Sequence, residues 1–170
     1  NNRVLHHAHT RPNCRGMGTT LVGALVENDV AYVINVGDSR AYYISENGIE
    51  RITRDHSLVE DLVERGRITP QEARNHPNKN VITRALGVDR HLEGDLFSRK
   101  MAPGSMLLLC SDGLSNMLED SEILSEALHG GARTECCQRL LGLALTRGAT
   151  DNVTVVLLAL DAPEEKRIEE

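Results

Sequence analysis

Leu107-Leu108-Leu109-Cys110-Ser111-Asp112-Gly113-Leu114 is an apolar run, too short for a typical helix, that stops abruptly at an aspartate and a glycine. Bounded by turn residues, such a run reads as a buried strand. A carboxylate at the mouth of a buried strand sits on a rigid support. The arrangement recurs twice more. Asp38 follows the apolar Val30-Ala31-Tyr32-Val33-Ile34-Asn35-Val36, and Asp151 precedes Val153-Thr154-Val155-Val156-Leu157-Leu158. Any one of these aspartates alone is an ordinary turn residue, because the Asp side chain bonds nearby backbone. Their joint placement beside Gly or Asn makes Asp38, Asp112 and Asp151 candidate parts of one metal site. Short carboxylates on rigid supports suit hard cations such as Mg²⁺ or Mn²⁺.

The 170 residues bound what surrounds this site. The length fits one domain with enough apolar content for a core. That core must be aliphatic, because there is no Trp and the one Phe is Phe97. A net charge of −6, with no stretch that concentrates Lys or Arg, argues against nucleic acid as a partner. The apolar runs are far too short to span a bilayer, and no signal-peptide pattern opens the chain. The four cysteines show no paired framework, so the expectation is reduced thiols in a cytoplasmic protein. His6, His7 and His9 read as a surface helix end or an expression-related segment, because no further ligands follow at a characteristic spacing.

Working outward, Thr19–Val26 reads as a strand covered on both faces. Asn28-Asp29 and Asn47-Gly48 read as hairpin turns. With a reversal at Gly37-Asp38-Ser39 and a last strand Ile49–Thr53, the pattern predicts a four-stranded antiparallel meander. Its geometry would collect Gly16–Thr20, the Asp38 turn and Arg54-Asp55-His56 at one rim. Ser57–Glu60 and Thr69–Glu72 then read as capping boxes of two short helices. These helices read either as a flap over the rim or as a solvated helical excursion. Beyond the Asp112 strand, Asp120 or Ser121 caps one helix. A longer helix spans about Thr134 to Arg147, with Cys136, Cys137, Leu140, Leu141 and Ala144 on one face. The tail from Pro163 to Glu170 is charged and expected to fray. The whole pattern predicts an α+β layered domain.

Other phosphate chemistries fail on inspection. Cys110 lacks the preceding His and the downstream Arg of a cysteine phosphatase. Gly16-Met17-Gly18-Thr19-Thr20 has no Lys and precedes a strand, whereas a phosphate-binding loop opens a helix.

Six segments in order carry a resemblance: Gly18-Thr19-Thr20, Asn35–Ala41, Thr53–Ser57, Val81–Gly87, Leu109–Leu114 and Gly148–Thr154. Together they resemble PPM-type (type-2C) metal-dependent protein serine/threonine phosphatases over roughly residues 16–160. The segments Arg67-Ile68-Thr69-Pro70 and Asn80–Arg84 resemble the bacterial branch. The resemblance implies a four-layer α/β/β/α sandwich of two antiparallel sheets flanked by helices, with a small helical flap over about 56–80. It implies two, and as many as three, Mn²⁺ or Mg²⁺ ions per complete domain. Asp112 and Asp151 would be ligands of the binuclear pair, and Asp38 would share a third, weaker metal with Asp112. A metal-activated water would attack phosphoserine or phosphothreonine directly. Ser57, Arg67 and Asn80 would govern substrate access from the flap, and the partners would be phosphorylated proteins, substrates of Ser/Thr kinases.

The family's N-terminal acidic motif and its Asp-Gly-x-Gly-Gly-His segment do not occur before Gly16. The expectation is therefore a phosphatase domain lacking its N-terminal strands and ligands, with weak or absent turnover and partial metal binding. Two other readings stay open. One is a non-catalytic homologue that binds phosphoproteins, against which retention of the three aspartates argues. The other is a plain interaction domain that binds no metal.

Overall fold

The computed structural model describes residues 1–161. The charged tail from Pro163 lies outside the described residues. In order, the chain forms α1 (Asn2–Thr10), a 3-10 turn (Pro12–Cys14), β1 (Leu21–Glu27), β2 (Val30–Val36), β3 (Arg40–Ser45) and β4 (Gly48–Arg51). Next come α2 (Leu58–Glu64), α3 (Pro70–Arg74), β5 (Asp95–Lys100) and β6 (Met106–Cys110). α4 (Asp112–Ser115), α5 (Asp120–Leu128), α6 (Arg133–Thr146) and β7 (Val155–Ala159) complete it.

The strands form two antiparallel sheets, β1-β2-β5 and β4-β3-β6-β7. The expected meander is therefore split: β1 and β2 lie in one sheet, β3 and β4 in the other. The physical reason lies in β3. Ala41 and Tyr43 point one way and Tyr42 and Ile44 the other, and all four are buried. A strand apolar on both faces needs a cover on each side, which one two-sided meander does not provide. So β3 leaves β2 at Gly37 and pairs with the equally apolar β6, Tyr42 opposite Leu108. Ala41, Tyr43 and Leu107 pack toward Ala31 and Val33 of the first sheet. Tyr42, Ile44, Leu108 and Cys110 pack toward Leu114, Ile123, Leu140 and Ala144 of the helical layer. Each fully buried aliphatic side chain there contributes about 1.5–3 kcal/mol.

This is an α+β sandwich of two antiparallel sheets with helices on the outer face of β4-β3-β6-β7. The outer face of β1-β2-β5 leaves Leu25, Tyr32 and Leu96 exposed. β1 is thus not covered on both faces, contrary to the reading of its apolar run. Other local expectations shift as well. Asn28 and Asp29 both take positive φ, as a two-residue primed turn requires. In the second hairpin Ser45 pairs Gly48, so the loop is Glu46-Asn47. Thr69 and Glu72 form the complete capping box. At Ser57 the cap is one-sided, because the Glu60 carboxylate goes to Arg51 instead. α5 is capped by Glu119, not Asp120 or Ser121, with Glu122 closing the box. In α6, Cys136, Leu140 and Ala144 are buried, whereas Cys137 is half-buried and Leu141 exposed.

The anticipated rim survives the split, because the crossing from β2 to β3 occurs at that end. Thr20 Oγ1 lies 2.9 Å from Ser39 Oγ, and the His56 N–H donates to Gly37 O at 2.9 Å.

Candidate metal centre and cleft

Asp112 stands at the end of β6 because Ser111 and Gly113 zip that end onto the start of β7. The Ser111 hydroxyl donates to Asn152 O at 3.0 Å and accepts from the Thr154 N–H at 2.9 Å. The Ser111 N–H donates to Thr154 O at 3.1 Å. A Cβ on residue 113 would come within 2.5 Å of Asn152 O, so only glycine allows so close an approach. The result sets Asp112 beside Asp151, whose Oδ1 accepts from the Asn152 N–H at 2.7 Å. Asp112 Oδ2 also accepts from Asn116 Nδ2 at 3.1 Å.

Asp38 arrives from the other side on the turn after β2. Gly37 has φ +107°, and a Cβ there would lie 2.4 Å from Thr20 Cγ2. Glycine is required on both counts. Behind the turn, Arg40 grips Asp55 through Nε and Nη2, the shortest contact being 2.7 Å. Arg40 Nη1 donates to the Tyr42 hydroxyl at 3.2 Å. This guanidinium lies close enough to ease the charge of both Asp38 and Asp112.

The electrostatics favour a cation. Partial burial, then repulsion from Asp112, pushes the Asp38 carboxyl up to about 6. Burial, then repulsion from Asp151, raises Asp112. Asp112 is thus the shared member of two repelling pairs. Among the described residues no trio of ligating side chains closes on one point. The donor set fits a hard divalent cation in chemistry, being all carboxylate oxygen and in need of positive charge.

Asp38 and Asp112 line a cleft of about 480 Å³ between α2–α3 and α4–α5. Asp151 lies beside Asp112 but outside the lining. Of the expected flap residues, Ser57 lines the cleft but is buried as the cap of α2, its hydroxyl accepting from the Glu60 N–H. Arg67 and Asn80 are exposed and do not line it. Lys79, the neighbour of Asn80, does. The other cations on its walls are committed: Arg40 to Asp55, Arg51 to Glu60, and Arg74 to Glu119 and the carbonyls of Ser115 and Leu118. Among the described residues, Lys79 is the cleft cation with no carboxylate partner. Sequence reasoning assigned no role to Arg40, Asp55 or His56. The signal it held was an Arg and an Asp-His pair at the same predicted rim.

Burial pushes the Cys110 thiol up to about 12, so it is no thiolate. The Ser111 hydroxyl is fully committed to backbone. Neither side chain preceding Asp112 is a free nucleophile. Among the described residues no helix is long and apolar enough to cross a membrane.

A two-sheet α+β sandwich with acidic groups converging at one edge of a cleft is the class of domain to which metal-dependent phosphatases belong. The model of the protein phosphatase 2C family matches residues 2–153. The chain belongs to that family. It is 36% identical over 167 residues to the serine/threonine phosphatase stp of Listeria welshimeri, covering 98% of this chain and 66% of that protein. The serine/threonine phosphatase Stp1 of Staphylococcus aureus superposes with a TM-score of 0.90 at 41% identity, over 94% of this chain and 63% of that one. The catalytic domain of the phosphatase PstP, solved with two manganese ions, superposes at 0.81 with 39% identity, over 91% of this chain and 64% of its own. The chain thus spans about two thirds of the length of the curated relatives it matches.

Proposed function

We propose that this chain carries part of the catalytic centre of a metal-dependent phosphatase acting on phosphoserine and phosphothreonine in proteins, the products of Ser/Thr kinases. The observation that carries the reading is Asp112, fixed at the cleft edge between Asp151 and Asp38, each pair repelling. Asp112 with Asp151 would serve the binuclear Mn²⁺ or Mg²⁺ pair, and Asp38 with Asp112 would hold a third, weaker ion. Bound cations would supply Lewis acidity, making water a nucleophile near neutral pH and offsetting charge on the phosphoryl group.

The chain's own residues do the rest. Arg40, locked by Asp55, tempers the acidic edge without closing it. Lys79, uncommitted on the cleft wall, would attract the substrate's phosphate. With Cys110 protonated and Ser111 committed, neither side chain before Asp112 competes with water as the nucleophile. Since no three carboxylates close on one point among the described residues, turnover by this chain alone would be slow.

The test is phosphate release from a phosphothreonine peptide with Mn²⁺. The expected result is slow, chelator-sensitive release that Asp112→Asn abolishes. Release indifferent to chelation, or no difference between the wild type and Asp112→Asn, rejects the proposal.

A further inference from the structure

The Asp38 turn is held by a residue that the reading above leaves without a task. His56 is buried at 2% exposure. Its backbone N–H donates to Gly37 O at 2.9 Å, and its ring Nδ1 accepts from the Gly37 N–H at 3.1 Å. Both polar backbone groups of the residue before Asp38 are thereby held by one histidine. An Nδ1 that accepts must carry no proton, so the neutral ring's proton is on Nε2. That nitrogen lies 3.1 Å from Asp95 Oδ2, a matched donor and acceptor. Asp95 is in turn gripped by Arg84 at 2.9 Å. Burial works against the Asp95 charge, but His56 and Arg84 outweigh it, leaving the carboxyl below its usual value. Asp95 therefore stays ionised near neutrality and keeps the proton on the far side of the ring.

The same histidine ties the turn to the segment that returns from the flap. The Thr83 N–H donates to His56 O at 2.8 Å, and Ser57 bridges Ile82. Fully buried Asn35 adds a second tie, its Nδ2 donating to Gly37 O at 3.2 Å and to Arg54 O at 2.9 Å. Gly37, lacking a Cβ and held at φ +107°, has little steric restraint of its own. Without a clasp, the repulsion between Asp38 and Asp112 would swing the turn away from the cleft.

We infer that His56 is a positioning residue: with its tautomer set by Asp95, it clasps Gly37 and holds the Asp38 carboxylate at the cation site. The inference rests on Asp38 serving as a cation ligand, as proposed above. Residues that orient a ligand typically change metal affinity by about 10–100-fold when replaced.

Two substitutions separate the clasp from mere packing. In His56→Asn, the Asn Oδ1 takes the place of Nδ1 and still accepts from Gly37, while the link to Asp95 is lost. In His56→Gln, the amide reaches toward Asp95, but nothing branches near enough to serve Gly37. Two readouts are made: hydrogen exchange of the Gly37 amide in metal-free protein, and Mn²⁺ affinity by calorimetry. The Met101 amide, which donates to Asp29 O at the far end of β2, is the internal control.

The expected result for His56→Gln is Gly37 exchange accelerated at least about tenfold against the control, with Mn²⁺ bound about 10–100-fold more weakly. His56→Asn is expected to stay within about threefold of wild type in both. Should either variant unfold, Asp95→Ala frees the tautomer instead and should speed Gly37 exchange without touching the turn. Unchanged Gly37 exchange in His56→Gln and Asp95→Ala overturns the inference. So does equal loosening of Gly37 and the control amide in both His56 variants. If wild type takes up no Mn²⁺ but shows this exchange pattern, the cation reading fails and the clasp stands.

Discussion

Asp112 and Asp38 face the same cleft from mounts built on opposite principles. Asp112 is mounted by backbone closeness: Gly113 lies against the Asn152 carbonyl and Ser111 stitches β6 to β7. Asp38 is mounted by side chains: Thr20 packs over Gly37, and His56 and Asn35 clasp it. Both must work against like charge, Asp112 against Asp151 and Asp38 against Asp112. The backbone mount tolerates no added atom. The side-chain mount can be loosened and repaired one group at a time.

Gly113→Ala should break the first mount with the largest effect. Its Cβ meets backbone that cannot turn aside, at a cost of about 2–4 kcal/mol in urea unfolding. Gly142→Ala in α6, where nothing lies within 4 Å, should instead be neutral or stabilising by up to about 1 kcal/mol. Gly37→Ala meets the Thr20 side chain, Cγ2 at 2.4 Å and Cβ at 2.7 Å, so part of its loss should return when Thr20→Gly removes both. No partner change should rescue Gly113→Ala. Recovery in both cases, or in neither, would erase the distinction drawn between the mounts.

Ser111→Ala sharpens the same contrast at lower amplitude. It removes one donor and one acceptor to backbone, about 1–2 kcal/mol by thermal unfolding. Asp38→Asn should act in the opposite direction in metal-free protein. The folded state keeps the Asp38 proton up to about pH 6, whereas an ordinary carboxyl releases it near 3.8. Stability therefore falls as pH rises through that window, and the deficit persists above it. Asn abolishes the deficit, so the variant should be more stable at pH 7 by about 1 kcal/mol, discounted for solvent screening, and no more stable below about pH 4. The smallest effect is expected at the cleft wall. Lys79→Ala should raise KM about threefold for a phosphopeptide and for a small aryl phosphate alike, because both carry the phosphate. An unchanged KM for the aryl phosphate would remove Lys79 from phosphate recognition.

The two mounts were also unequally legible in the sequence. The Asp112 mount lies within one strand and its neighbour, where apolar runs ending in Ser-Asp-Gly and Asp-Asn display their own geometry. The Asp38 mount depends on which sheet each strand joins. Period-2 reading sees that Ala41–Ile44 is apolar throughout, but not that this forces β3 out of a meander and into a second sheet. That choice is made by burial on two faces, a tertiary effect that local pattern does not carry. The rim itself was readable because alternating strand direction sends the Asp38 turn and His56 to one end under either topology. The clasp was not readable, since a buried His beside an Asp looks like any turn exit until the Gly37 amide is seen to face its ring. The flap helices were clear from their caps. The side chains they present were not: the cleft takes Lys79, while Arg67 and Asn80 remain outside it.

Calorimetric titration of Mn²⁺ into wild type and Asp112→Asn at neutral pH tests the central claim most directly, because Asp112 is the carboxylate shared by both pairs. The account predicts saturable uptake by wild type, weakened at least tenfold or lost in Asp112→Asn, with Asp38→Asn retaining the stronger site. Equal affinity in wild type and Asp112→Asn would contradict it.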